Sequence, residues 1–439
     1  MNEQISKLSQ KLDATMPALN ILDAYWNGTQ PATFLSKKSR EALGGGIETL
    51  GVNFPKLAVS SLAERLTPIG FREPGDESGT DSELWKVWRK NHMDDCAAQA
   101  HIDALVYGRS FVIVWAGARG PQVTVESPRQ VAVLHDPATR EVTSAFKRWR
   151  DGNVALGVLY LPDVIHKVKA EANVTGDTYP VDGWVVTESI PNPLGMVPVV
   201  PIVNRGRLLD MDGISEMSDL LGLTDALNKL MSDAMVTSEH FARPRRWATG
   251  LELTEDDEGN VEEPFTSEAD KVWVSEDTET KFGQFDAARL DGYSDMTATV
   301  TQQIGALSGL PPHYLGLHGD QPASADAIRS AEASLVARAF ALQRLFGQAW
   351  ADVARLIVAV RDGVDPLDVD VETVWESPET RTPSQSADAA VKLKSIGVPL
   401  TVLLTEHMGY SPAQVERVRT AMRTEALDAA GVDLAELVQ

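Results

Sequence analysis

Three features of this chain predict an α+β fold. Long stretches place apolar residues at helical spacing, the period turns strand-like over Ser110–Trp115, and short strand-like segments crowd residues 121 to 203. At 439 residues the chain is too long for one simple core, so roughly two or three lobes are expected.

The elements follow in order. Residues 2 to 24 carry helical spacing at Ile5, Leu8, Leu12, Met16, Leu19 and Leu22, interrupted by Pro17, and end at the turn Tyr25-Trp26-Asn27-Gly28. Gly44-Gly45-Gly46 reads as a flexible break. Asn53 is placed to cap a helix from Pro55 to Leu66. Asp81-Ser82-Glu83 opens what reads as one long helix to Tyr107-Gly108, where the strand Ser110–Trp115 begins. Strands are expected at Val123–Val125, Val131–Leu134 and Gly157–Leu161, and a proline-punctuated strand over Asn192–Ile202. Ser215 to His240 is helical, stopped by Arg243-Pro244. An acidic, strand-rich insert over 251–286 follows, with a solvated turn at Thr254–Asn260, and then a helix from Leu290 to Leu307. Ser324 caps the longest helix, near 325–361, whose apolar stripe runs from Ile328 through Leu335, Leu342, Phe346, Val353 and Ile357 to Val360. Residues 384–439 are a helical tail, with Ser411-Pro412-Ala413-Gln414 in the form of a capping box.

Composition excludes several classes. A net charge of -23 argues against an ordinary DNA binder, which gains affinity by neutralising phosphates and releasing counterions. An apolar share of 43% with 23% charged residues reads as soluble and globular. Cys96 is the single cysteine, so neither an intrachain disulfide nor a thiolate zinc cluster can form, and folding in a reducing cytoplasm is expected. Residues 1–24 lack the apolar core of a signal peptide. The longest apolar run, 193–203, holds three prolines and is too short to span a bilayer, so neither secretion nor membrane insertion is expected.

Catalytic patterns are weak. The glycines at 44–51 lack a Gly-Lys-Ser/Thr ending, and no His-Glu-x-x-His occurs. His92 and Asp95, three apart on a helix, read as a surface pair rather than metal ligands, and Asp256-Asp257-Glu258 lacks the spacing of a calcium loop. Ser308-Gly309-Leu310 is not a nucleophile elbow. No catalytic residue, cofactor or metal is assigned. Basic residues cluster at Lys147-Arg148-Trp149-Arg150, at Lys167 with Lys169, and at Arg243-Pro244-Arg245-Arg246-Trp247. The last interleaves arginine with tryptophan, which suits phosphate contact or stacking but equally a helix C-terminus.

An ordered series of short motifs runs through the chain: Asn53-x-x-Lys56, Ala104-x-x-x-Gly108, Leu159-Tyr160-Leu161-Pro162-Asp163 and Asn192-Pro193-Leu194-Gly195-x-Val197-Pro198. It continues with Gly213-x-Ser215-Glu216, a helix bearing Asp225-Ala226-Leu227-Asn228-Lys229, Ala242-Arg243-Pro244, Ser308-Gly309-Leu310-Pro311 and Lys394-Ser395-Ile396-Gly397. In this order the chain resembles the portal proteins of tailed double-stranded-DNA bacteriophages, from about Tyr25 to about Val418.

The resemblance implies a non-enzymatic subunit with wing, two-helix stem, small β-containing clip and helical crown, forming commonly dodecameric rings at one capsid vertex. By resemblance 1–212 is an N-terminal α+β wing region, 213–241 and 289–307 are the stem helices and 242–288 is the clip. A tunnel loop falls at 308–324, the long helix and wing return at 325–383 and the crown at 384–439. His318, Gly319, Asp320 and Gln321 are tunnel-loop candidates, and Arg243, Arg245 and Arg246 are candidates for meeting DNA or a partner where stem meets clip. Implied partners are further copies of the chain, terminase, major capsid and scaffolding proteins, head-completion proteins, and double-stranded DNA in weak, non-specific contact, with no membrane. The implied location is the virion, after assembly in the host cytoplasm. An acidic tunnel would let DNA slide rather than trap it. A different head-assembly or adaptor protein, or an α+β enzyme with an unrecognised site, remains an alternative.

Overall fold

The computed structural model describes residues 1–31, 52–72, 82–118, 120–171, 179–180, 183–204, 207–241, 246–250, 279–284, 289–317, 324–379, 383–410 and 412–429. The fold is mixed helix and sheet, and the chain divides into two compact units. The first contains Met1–Gln30, Asn53–Thr224 and Ile304–Gln439; the second contains Pro31–Val52 and Asp225–Gln303.

In the first unit, α1 (Asn2–Asn27) runs straight through Pro17 and ends on Gly28, whose positive φ of 71° suits glycine. The expected interruption does not occur. Pro17 lies on the exposed side, and the Thr15 hydroxyl donates to the Leu12 carbonyl one turn before it. The buried stripe Ile5, Leu8 and Leu12 packs on one face of a five-stranded antiparallel sheet against Phe146, Leu159, Val168 and Trp184. Each such side chain contributes roughly 1.5–3 kcal/mol by leaving water.

That sheet orders β4 (Val131–His135), β5 (Val142–Asp151), β6 (Val154–Tyr160), β7 (Val164–Glu171) and β8 (Val185–Pro191) as consecutive neighbours. Alternation sends Ala145, Tyr160 and Ile165 to a second core with Phe111, Ile113, Val197 and Val199. Phe111, Ile113 and Val199 come from a three-stranded sheet in which β2 (Arg109–Gly117) lies between β3 (Gly120–Glu126) and β9 (Val199–Val203), both antiparallel to it, and Val197 comes from the turn before β9.

Two expectations are corrected here. The strand read over Asn192–Ile202 is a turn followed by the short β9. The buried Asn192 donates through Nδ2 to the Leu161 and Met196 carbonyls (2.9 and 2.8 Å) and accepts from the Leu194 amide, closing the turn. The single helix read from Asp81 to Tyr107 is two: α3 (Ser82–Lys90) and α4 (Met93–Tyr107). His92 between them adopts left-handed φ 55°, while Asn91 donates to Pro121 and accepts from the Val123 amide, so β3 claims the residues that would have continued the helix. Trp88 bridges the break by donating to Asp94 at 2.8 Å.

Before these, α2 (Phe54–Ala63) starts as read, with the Asn53 side chain accepting from the Lys56 amide at 3.0 Å. β1 (Pro68–Arg72) pairs with the distant β12 (Glu372–Trp375). Two long helices follow the sheets: α5 (Leu221–Phe241), preceded by a 3-10 turn at Ser218–Leu220, and α6 (Asp291–Ser308). The longest helix, α7 (Ala325–Asp362), is capped by Ser324 accepting from the Ala327 amide. Its stripe buries Leu335, Phe346, Val353 and Ile357, but Ile328 is exposed. The inward face therefore begins about a turn later than the sequence suggests. His101 meets the rings of Phe346, Trp350 and Trp375, and Trp350 continues through Trp88 to Phe71 and Trp85. The tail has α8 (Pro383–Ser395), a short turn into π geometry at Leu403–His407, and α9 (Pro412–Ala429).

In the second unit, β10 (Arg246–Thr249) and β11 (Lys281–Gln284) form a two-stranded antiparallel ribbon. Trp247 lies across Gly283, where a Cβ would approach its ring to 2.4 Å. A side chain opposite the tryptophan would therefore have to displace its ring. Thr237 of α5 and Tyr293 of α6 approach at 3.3 Å through their hydroxyls. The solvated turn at Thr254–Asn260, the glycine break at 44–46 and Ser411 of the capping box lie outside the described residues.

Candidate functional site

The glycine and serine motifs converge on the ends of α5 and α6. Gly108 ends α4 with φ 89°, and the carbonyl it exposes is taken by the Asn204 amide at 2.8 Å. Gly213, at φ 74°, crosses so close that a Cβ there would lie 2.0 Å from the Gly108 carbonyl oxygen. The crossing lets the Glu216 amide donate to the Leu105 carbonyl and fixes Glu216 at the entry to α5. Asn204 Nδ2 donates to Glu216 Oε2 at 3.1 Å.

Glu216 faces Arg338 of α7. The guanidinium pairs with its carboxylate and also donates to the carbonyls of Leu307 and Ser308, at the C-terminal end of α6. Burial pushes the Arg338 guanidinium below its ordinary value. Gly309 then turns the chain at φ 69°, with space for a Cβ already taken by Ser334 and Arg338. Ser308 is buried and its hydroxyl donates to the Ile304 carbonyl at 2.7 Å, so it serves as a helix-end residue.

The following 3-10 turn, Pro312–Leu315, is held on the same helix. Leu315 packs against Gly305, where a Cβ would meet it at 2.5 Å. Tyr314 donates to Glu332 at 3.4 Å and accepts from Arg65 at 3.1 Å, while Arg65 and His313 approach Glu332 at 3.6 and 3.8 Å. Burial raises the Tyr314 phenol, with Arg65 opposing and Glu332 adding to the shift. Two charged residues of α7 thus frame the segment leading to residue 318.

The tunnel-loop candidates His318, Gly319, Asp320 and Gln321, with Arg243 and Arg245, lie outside the described residues. Arg246 opens β10, paired with Gln284. The other basic clusters are engaged within the fold. Arg148 is buried against α1, paired with Asp13, donating to Ser9 and lying 4.3 Å from the Tyr179 ring centroid. Lys147 pairs with Glu126 at 2.5 Å and Lys167 with Glu188 at 2.8 Å. Sequence proximity to Trp149 suggested a basic patch at 147–150, but strand alternation divides it between two faces. The expected His92–Asp95 surface pair on a helix is corrected as well, because His92 precedes α4 in left-handed geometry. Sequence reading missed Arg338 and Glu332, whose only signal is charge placed among the apolar positions of α7.

The family model for the SPP1 Gp6-like phage portal protein matches residues 6–425. The portal protein of Mycobacterium phage D29 is 34% identical over 396 residues, covering 85% of this chain and 79% of that protein. The portal protein of Mycobacterium phage L5 is 34% identical over 397 residues with the same coverage. Among solved structures, a chain in the neck of an empty gene transfer agent particle is similar at TM-score 0.49 and 12% identity, over 83% of this chain and 90% of that one. The match over nearly its whole length, with two relatives above 30% identity, means that the chain belongs to the SPP1 Gp6-like family of phage portal proteins.

Proposed function

We infer that copies of this chain close head-to-tail into a ring at one capsid vertex and form the channel through which DNA enters during packaging and leaves at ejection. The observation that carries this reading is the family match from residue 6 to 425, which takes in both long helices and the segment between them. Residues 213–241 and 289–307 serve as stem, 242–288 as clip, 308–324 as tunnel loop and 384–439 as crown. The protein does no chemistry of its own; terminase supplies the energy and docks on the ring, with capsid, scaffolding and head-completion proteins as further partners. The net charge of -23, repeated around a ring, supports a channel that repels phosphate and lets DNA slide.

Heterologous contacts either close into rings or run on as filaments. Light scattering coupled to size exclusion is expected to give a discrete mass many times 47.7 kDa. A stable monomer or two-fold dimer at micromolar concentration refutes the ring.

A further inference from the structure

We propose that Arg338 and Glu332 of α7 are positioning residues for DNA translocation, holding in place the turn over 309–317 from which the proposed tunnel loop continues. The proposal rests on the reading of 308–324 as a tunnel loop and adds the joint that would control it.

The turn from Gly309 to Leu317 has little regular structure of its own beyond the short 3-10 turn. Its apolar anchors are Leu310 and Leu315, both buried. Its polar side-chain anchors come from α7, from Arg65 beyond it, and from Ser308 of α6, whose hydroxyl accepts from the Leu310 amide at 3.3 Å. At one end Arg338 holds the last carbonyls of α6 and, through Glu216, the entry to α5. At the other end Glu332 receives Tyr314, His313 and Arg65, and Arg65 continues to the Pro378 carbonyl at 3.2 Å. Ser324, the next described residue after Leu317, caps α7 itself. Two residues of one helix therefore hold the turn over 309–317 and the last carbonyls of α6.

The geometry is unlike an ordinary core contact. A guanidinium shared between a carboxylate and two helix-end carbonyls specifies direction as well as distance. Glu332 is buried with its carboxylate within reach of an arginine, a phenol and an imidazole, so its partners cannot be exchanged for water without moving the turn. A shift of α7 must then carry the turn with it, or break these bonds.

The test uses the full-length chain with Arg338→Met, Arg338→Lys and Glu332→Gln. It measures ring mass by light scattering, amide exchange over 309–317, and DNA packaged per procapsid that contains the variant ring. We expect Arg338→Met and Glu332→Gln rings of wild-type mass, exchange over 309–317 faster by roughly 2- to 30-fold, and packaging reduced within the same range. Arg338→Lys, which keeps the charge facing Glu216, recovers part of both. Variants with a lowered melting temperature but normal packaging per ring would overturn the proposal, leaving a structural role only. Failure of both Arg338→Met and Glu332→Gln to form rings, beside a wild type that does, would also overturn it by making the pair an assembly element. A wild-type chain that forms no ring defeats the ring reading itself, and the proposal with it.

Discussion

His101 makes the stability of this subunit dependent on acid in a way that can be calculated. The ring is fully buried between α4 and α7, stacked on Phe346 at 5.4 Å between centroids. The Trp350 indole donates to Nε2 at 2.8 Å, which leaves the one imidazole proton on Nδ1, towards the backbone of Leu66. Burial lowers its pKa from 6.5 to about 3, outweighing the opposing pull of that backbone. The unfolded chain therefore binds a proton near pH 6.5 that the folded chain refuses until about pH 3. Stability is unaffected by this group above the unfolded value and is lost as pH falls below it, at about 1.4 kcal/mol per pH unit. Between about pH 7 and about pH 5 the loss is about 2 kcal/mol. His101→Gln keeps an acceptor for Trp350 without a titrating ring. Urea unfolding of wild type and variant at fixed protein concentration should show the difference between them changing by about 2 kcal/mol over that interval. Parallel pH profiles for the two proteins would refute the argument.

Three further outcomes are expected. Asp13→Ala, which strands the buried Arg148 cation, should cost about 3–5 kcal/mol in chemical denaturation. Arg148→Met should cost less, about 1–2 kcal/mol, because the Asp13 side chain it frees is already 43% exposed; equal costs would contradict this asymmetry. Gly213→Ala should destabilise by more than about 3 kcal/mol, since its Cβ must displace the Gly108 backbone, while Gly195→Ala, in open space at φ 66°, should cost about 1 kcal/mol. Replacing Arg243, Arg245 and Arg246 together by glutamine should leave ring mass unchanged and weaken packaging in a salt-dependent way, and unchanged packaging would assign them to a plain helix end.

Helix positions were legible in the sequence because caps and periodicity are local: Asn53 and Ser324 both cap as their spacing implies. The break at His92 was not, since it depends on Asn91 finding Pro121 and Val123 on a strand that follows much later. Asn192 was read as part of a strand for the same reason, its side chain closing a turn onto Leu161. The family order of motifs was visible, but not why the motifs exist. Gly108 and Gly213 belong together because one backbone crosses the other, which no spacing rule reveals. Of the functional candidates, the short basic runs misled where alternation buries half of them, as with Arg148. The frame around residues 308–317 was hidden because Arg338 and Glu332 draw partners from Arg65 and Glu216, far away in the chain.

The pairing of β1 with β12 has a consequence for synthesis. Arg72 meets Glu372 across that ribbon, so β1 waits on the ribosome for a strand made some 300 residues later. Until then, Trp88, which packs on Phe71, lacks its contact with Trp350, and His101 lacks its contact with Trp375. Nascent chains cut short before residue 375 would expose that surface and be open to aggregation or chaperone capture. In this way closure of the ribbon would act as a proofreading step, admitting to assembly only chains translated past Trp375.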